Sequence, residues 1–382
     1  MIATQETEKL VRLRQELHAN PELSGQENNT ANRLLNFLKT LKPDQVLQNL
    51  GGNGIALVFK GKAPGKRVLF RADMDALPIQ EKNELSYASI NNGIAHLCGH
   101  DGHSSILAGF ALLLNEKPPE KGEVILLFQP AEETGQGALH VIKDPQFESI
   151  KPDLAFALHN LPGFERHTVV LREQTFAAAS VGIKIHFIGR TAHASQPETG
   201  LNPATALAKL MLELEQLKKN WEAEKVFKLL TITHARLGDE AFGTSPGEAF
   251  CWVTIRSFED ETLEAMQQQC LDLAEQIAKE YKLELQNSSH EPFAATVNDS
   301  QLTILAENAA KQNKFKVIKL ETSFRWSEDF GHFGKFGPIT LFGIGSGKNH
   351  PALHNPDYDF PDELIPTGIA MFDAICRQIT NH

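Results

Sequence analysis

Residues 123–135 read Glu-Val-Ile-Leu-Leu-Phe-Gln-Pro-Ala-Glu-Glu-Thr-Gly. Five apolar side chains in succession, Val124 to Phe128, predict a strand over Glu123–Gln129 that is covered on both faces, as in the middle of a parallel sheet. Pro130 ends the run, and two carboxylates, Glu132 and Glu133, follow at its C-terminal end. Neighbouring side chains in an extended chain diverge, so the two can do different work.

Moving outward, a strand over Arg67–Ala72 runs into Asp73-Met74-Asp75, and an apolar strand over Leu154–Leu158 runs into His159. Spacing two apart in extended chain aims Asp73 and Asp75 the same way, which needs cations or donors nearby. Helices are predicted near residues 7–19 and 28–41, and over Ser104–Leu114. Strands alternating with helices give an α/β fold with a mostly parallel sheet, whose ligands gather at the carboxyl ends of the strands. Three strand endings then carry Asp-x-Asp, Glu-Glu and His.

Between them lies His-Leu-Cys-Gly-His-Asp-Gly-His, residues 96–103. Cys98 and His100 can point to one side, and Gly99 and Gly102 let the backbone bend tightly. Thiolate with imidazole is a donor set for a borderline-soft divalent metal. A turn that merely feeds a helix would also accept these residues. A further ligand comes late, in GIGSGKNHPALHNPDYDFPDE (343–363): His350 and His354 are four apart, but Pro351 and Pro356 oppose a helix, so one of the two is expected to serve. The Gly-Ser-Gly-Lys run is no phosphate loop, because Phe342 stands where Gly is required.

The pattern changes over residues 179–286: strand, helix, two strands, helix and strand, a split β-α-β arrangement. We therefore expect an α/β domain made of residues 1–178 and 287–382, interrupted by an inserted α+β (ferredoxin-like) domain at 179–286. Composition agrees with a soluble globular chain of 382 residues, 41% hydrophobic and 22% charged. The net charge of -11 argues against nucleic acid and anionic membrane as partners. Four dispersed cysteines (Cys98, Cys251, Cys270, Cys376), with no signal-peptide pattern and no membrane-length apolar run, point to a reducing cytoplasm.

Together, Cys98, His100, Glu132, Glu133, His159 and His354 give five ligands and a spare carboxylate, one of the two adjacent glutamates, and suit two metal ions better than one. A carboxylate outside the ligand set could take a proton from water and return it to a leaving amine. A cysteine hydrolase using Cys98 and a non-catalytic metal binder are the other classes to weigh; the spare carboxylate disfavours the binder.

Eight stretches resemble the M20 metallopeptidase superfamily, in its amidohydrolase branch that cleaves N-acyl amino acids (aminoacylase, hippurate and auxin-conjugate hydrolases). They are LHANPELSGQE (17–27), RADMDALPI (71–79), HLCGHDGH (96–103), FQPAEETGQGA (128–138), ALHNLP (157–162), GRTAHASQP (189–197), SEDF (327–330) and LHNPDYDFPDE (353–363). The resemblance implies that Cys98 (as a bridge), His100, Glu133, His159 and His354 hold two divalent ions, zinc or manganese. It makes Glu132 the general base and acid and Asp75 the acidic residue behind the metals. It also implies that His193 of a neighbouring subunit donates to the oxyanion, that Arg256 contacts the substrate carboxylate, and that the chain forms a homodimer through the inserted domain. The substrate would be a small N-acyl amino acid or a short peptide, with an M20-type dipeptidase or carboxypeptidase as the alternative. One departure stands out. The family's Asn-Val-Ile-Pro is Gly243-Thr244-Ser245-Pro246 here, so Gly243 replaces an Asn that grips substrate. The remaining histidines (His18, His96, His103, His140, His167, His186, His234, His290, His332, His350 and His382) read as surface, capping or packing residues, His103 least clearly.

Overall fold

Val124, Ile125, Leu126, Leu127 and Phe128 are each fully buried in a strand that spans Lys121–Gln129. The structure, a computed structural model, describes residues 3–381; His382 lies outside the described residues. On one side of that strand runs Ala63–Asp73 in parallel, then Leu154–Pro162 and Ile339–Gly347, also parallel. On the other side Gly54–Lys60 and Gln45–Leu50 add antiparallel strands. Val169–Leu171 and Val317–Lys319 complete an eight-stranded sheet at the far edge. The sheet is thus mixed, with a parallel centre, and both faces of that centre are covered, as continuous apolar strands require.

The helix His100–Glu116 crosses this sheet and is buried on nearly every side. It packs against Thr4–Ala19 and Leu364–Thr380. Phe70, Phe110, Phe156 and Phe372 meet between sheet and helices, with ring centroids 5.0 to 5.9 Å apart. The helix begins at His100, four residues before the predicted Ser104, because the left-handed Gly99 (φ 94°) turns the chain directly into it. Gly102 does not bend the chain. It is helical, and a Cβ there would strike the ring of Phe360.

The chain divides into two units: residues up to Phe176, Thr296–Ser323 and from Glu328 onward form the first, and Ala177–Ala295 with Phe324–Ser327 the second. The second has its own core. Its antiparallel sheet runs in the order Lys228–Leu237, Glu248–Ser257, Ala179–Ile188, Glu284–Phe293. In Ala179–Ile188 the side chains of Val181, Ile183, Ile185 and Phe187 are buried and those between are not. The buried set meets the helices Ala204–Glu222 and Asp260–Glu280. The last strand extends well beyond the expected Leu283–Gln286. Its polar run Asn287-Ser288-Ser289-His290 carries no strand signal, yet pairs through its backbone with Ala179–Ile188. No helix among the described residues is long and apolar enough to cross a membrane.

Candidate metal centre and active site

At the carboxyl ends of the parallel strands the first unit gathers the predicted donors. Cys98, His100 and His159 bring one donor atom each to within 4.8 Å of one another, as do Cys98, Glu133 and His354, and His100, Glu132 and Glu133. Two of the three groups share Cys98. Each donor has a structural reason for its aim. His100 turns Nδ1 to the backbone oxygen of Asp75 (3.0 Å), which leaves Nε2 facing the carboxylates of Glu132 and Glu133, each at 3.8 Å. His159 places Nδ1 on the backbone oxygen of Asn160 (2.8 Å) and Nε2 at 3.6 Å from Cys98 Sγ. It sits inside the strand Leu154–Pro162, not at the end expected from Leu154–Leu158. His354 adopts a left-handed backbone (φ 66°), its N–H donates to Leu97 O (2.8 Å), and its Nε2 lies 3.7 Å from Glu133. His350 is turned away, bonded to Asp359 O at 2.6 Å.

Asp73 and Asp75 both reach the His100 ring, but at opposite nitrogens, Asp73 at 3.7 Å from Nε2 and Asp75 at 3.3 Å from Nδ1. Asp75 also accepts from Ser24 Oγ (2.7 Å) and the Glu133 N–H (3.0 Å), so it orients a histidine and a glutamate together. Asp73 is tied instead to Arg71 and His103, both at 2.6 Å. His103 is therefore no surface residue. It is buried and also meets Asn160 at 2.5 Å, whose amide nitrogen reaches the Tyr358 hydroxyl. His18 and His96 are buried as well.

The site can be tested for metal on its own chemistry. His100 Nε2 and Glu133 Oε1 are buried with no hydrogen-bond partner, a costly arrangement unless something else satisfies them. Burial, reinforced by Glu328 and Glu133, holds the Glu132 carboxyl well above the usual range. Burial likewise pushes Glu133 up to about 8 and lifts the Cys98 thiol far up, the latter with Glu133 adding to it. The pocket crowds negative groups that a divalent cation would relieve. Thiolate, imidazole and carboxylate around orphaned nitrogen and oxygen atoms fit such ions.

The other expected site residues lie in the second unit. His193 is exposed in a two-residue strand, Ala192–His193, paired with Thr244–Ser245. Its Nδ1 faces Ser195, 2.7 Å from Oγ and 3.1 Å from the backbone nitrogen, which puts Nε2 on the opposite side of the ring. Gly243 adjoins it, accepting from the Ala194 N–H at 3.0 Å, and a Cβ on Gly243 would meet nothing within 4 Å. Arg256 donates to Ser327 Oγ (2.8 Å) and Arg325 O (3.2 Å). Sequence reasoning missed Arg71 and Asn160 as parts of the centre, took Asp73 only as half of an Asp-x-Asp strand ending, and set His103 among the packing or surface histidines.

A model of peptidase family M20/M25/M40 matches residues 69–378. The chain belongs to this family. It is 32% identical to the N-acetyl-L-cysteine deacetylase of Bacillus subtilis (strain 168), over 94% of this chain and 85% of that one. It is 30% identical to the hippurate hydrolase of Campylobacter jejuni, over 93% and 92%. Its fold matches the crystal structure of a dinuclear metal-binding M20 peptidase from Bacillus subtilis with a TM-score of 0.82, covering 100% and 99% of the two chains at 24% identity.

Proposed function

We propose that the chain is a two-metal amidohydrolase that releases the amino acid from N-acyl amino acids. The observation that carries this is the pair of donor groups, Cys98–His100–His159 and Cys98–Glu133–His354, meeting at one thiol beside a carboxylate left over, Glu132. The names of the relatives support the acyl amino acid class. Cys98, His100, Glu133, His159 and His354 would hold the two ions, zinc or manganese. Such ions supply a more acidic water and charge stabilisation for the carbonyl oxygen.

The chain's own residues do the rest. Asp75 fixes His100 and Glu133 in place. Glu132, with its proton affinity raised by burial, accepts the proton of the attacking water and delivers it to the leaving nitrogen. His193, with Nδ1 turned to Ser195, serves through Nε2 as a donor to the developing oxyanion. Arg256 binds the substrate carboxylate with its planar fork, and Gly243 widens the space beside His193. His193 acts in a neighbouring subunit's site, in a homodimer made through the inserted unit. The exposed Leu212, Phe242 and Trp252 and two open sheet edges on that unit support this. Four free cysteines fit a cytoplasmic setting.

Amine release from N-acetyl, N-benzoyl and dipeptide substrates, after reconstitution with manganese or zinc, tests the reading. The acyl amino acids should be cleaved best. Glu132→Gln should lower kcat about 10²- to 10⁴-fold while both ions stay bound. Best turnover on dipeptides would favour a peptidase, and loss of metal in Glu132→Gln would make Glu132 a ligand.

A further inference from the structure

Glu328 and Asp329 of the Ser-Glu-Asp-Phe stretch at 327–330 supply none of the proposed ligands, yet both carboxylates lie against the base. Glu132, Glu328 and Asp329 are all buried and bring a carboxylate oxygen each to within 4.8 Å of one another. Three buried carboxylates repel unless something holds them. Arg71 does so. Its Nη1 donates to Asp73 (2.6 Å) and Glu328 (3.0 Å), its Nη2 to Asp329 (2.7 Å), and its Nε to Gln129 (3.0 Å). Gln129 returns its amide to both oxygens of Asp329, at 2.9 and 2.8 Å. One guanidinium thus ties two central strands to the short helix Asp329–Lys335.

That turn forms the seat of Glu132. The other oxygen of Glu328 accepts from the Phe330 N–H (3.3 Å) and caps the short helix, which directs the Asp329 N–H at Glu132 Oε1 (3.4 Å). With Oε1 held there, Oε2 faces His100 Nε2 at 3.8 Å. In this orientation the Glu132 carboxylate lies beside that of Glu328, which Arg71 holds in place. The Asp329 N–H on one oxygen, His100 on the other and the fixed Glu328 beside them define the orientation of Glu132.

We propose that Glu328, anchored by Arg71, is a positioning residue that holds the Glu132 carboxylate in its working orientation. It is not one of the five residues proposed to hold the ions. The inference rests on the amidohydrolase reading given above.

The test is steady-state kinetics with metal analysis on Glu328→Gln, which keeps the shape and a hydrogen bond to Arg71. The expected result is a kcat about 10- to 100-fold lower with KM within about twofold of wild type and two ions still bound. Repeating the substitution in a Glu132→Asp background separates positioning from general damage. With the base already displaced, Glu328→Gln should cost less than about threefold more. An unchanged kcat, a loss that tracks metal content or melting temperature, or full multiplication of the two effects would overturn the assignment. If wild type itself cleaves no member of the panel, the amidohydrolase reading fails and takes this one with it. If wild type is active and Glu328→Gln keeps its kcat, only the Glu328 assignment falls.

Discussion

Cys98 and Gly99 show how a single backbone choice builds the centre. Gly99 has φ 94°, and a Cβ there would run into the Asn160 side chain, so only glycine allows the thiol of Cys98 and the ring of His100 to face the same space. Gly99→Ala should lose stability of order 1–3 kcal/mol and lower metal occupancy, read by denaturant unfolding and elemental analysis. Full occupancy at wild-type stability would contradict this. Most donor residues were legible in the sequence because their types are unusual and their spacing is local. Their supports were not. Arg71 finds its partners at Gln129, Glu328 and Asp329, and His103 finds Asn160, positions that only the fold brings together.

The helix Thr4–Ala19 is tied down through Arg14 and His18, which read as ordinary members of an amphipathic pattern. Arg14 is fully buried and donates to Asp359 and Asp362, each at 2.7 Å. His18 lies between Asp101 (2.8 Å) and Glu81 (3.1 Å), with Asp359 at 3.8 Å and the rings of Tyr87 and His96 beside it. Burial opposes its charge, but the hydrogen bonds to Asp101 and Glu81 outweigh that and raise it to about 9. A pKa raised on folding adds stability that is fully present below the unfolded value of about 6.5 and is lost as pH rises through the folded one. Between about pH 6.5 and 9 the protein should therefore weaken, His18 contributing of order 3 kcal/mol to the change. Glu133 and Asp329, raised by burial to about 8 and about 7, act in the same direction, so the His18 share is read as a difference. His18→Gln should show a flatter fall in melting temperature across that window; an identical slope would rule His18 out. Element positions were mostly readable from periodicity. The misses were short or polar pieces, such as Val169–Leu171 and the outer half of Glu284–Phe293, which are strands only because a neighbour offers backbone partners.

At the scale of the molecule there are two separate hydrophobic cores, and all five proposed metal ligands belong to the unit built on the first. An ion bound only by the folded state stabilises the unit that binds it. Chelation should lower the calorimetric transition of the first unit and leave that of the second in place. A shift of both together would contradict the division. The insertion was visible in the sequence as a change from alternating strands and helices to a split β-α-β order. The segment Phe324–Ser327, far along the chain, joins the second unit without any local signal. The two ions of the proposed centre share one thiol, that of Cys98. Elemental analysis of wild type and Cys98→Ala after identical reconstitution tests that claim. Two ions per chain in wild type and a clear loss in the variant are the predicted result; two ions in both would contradict it.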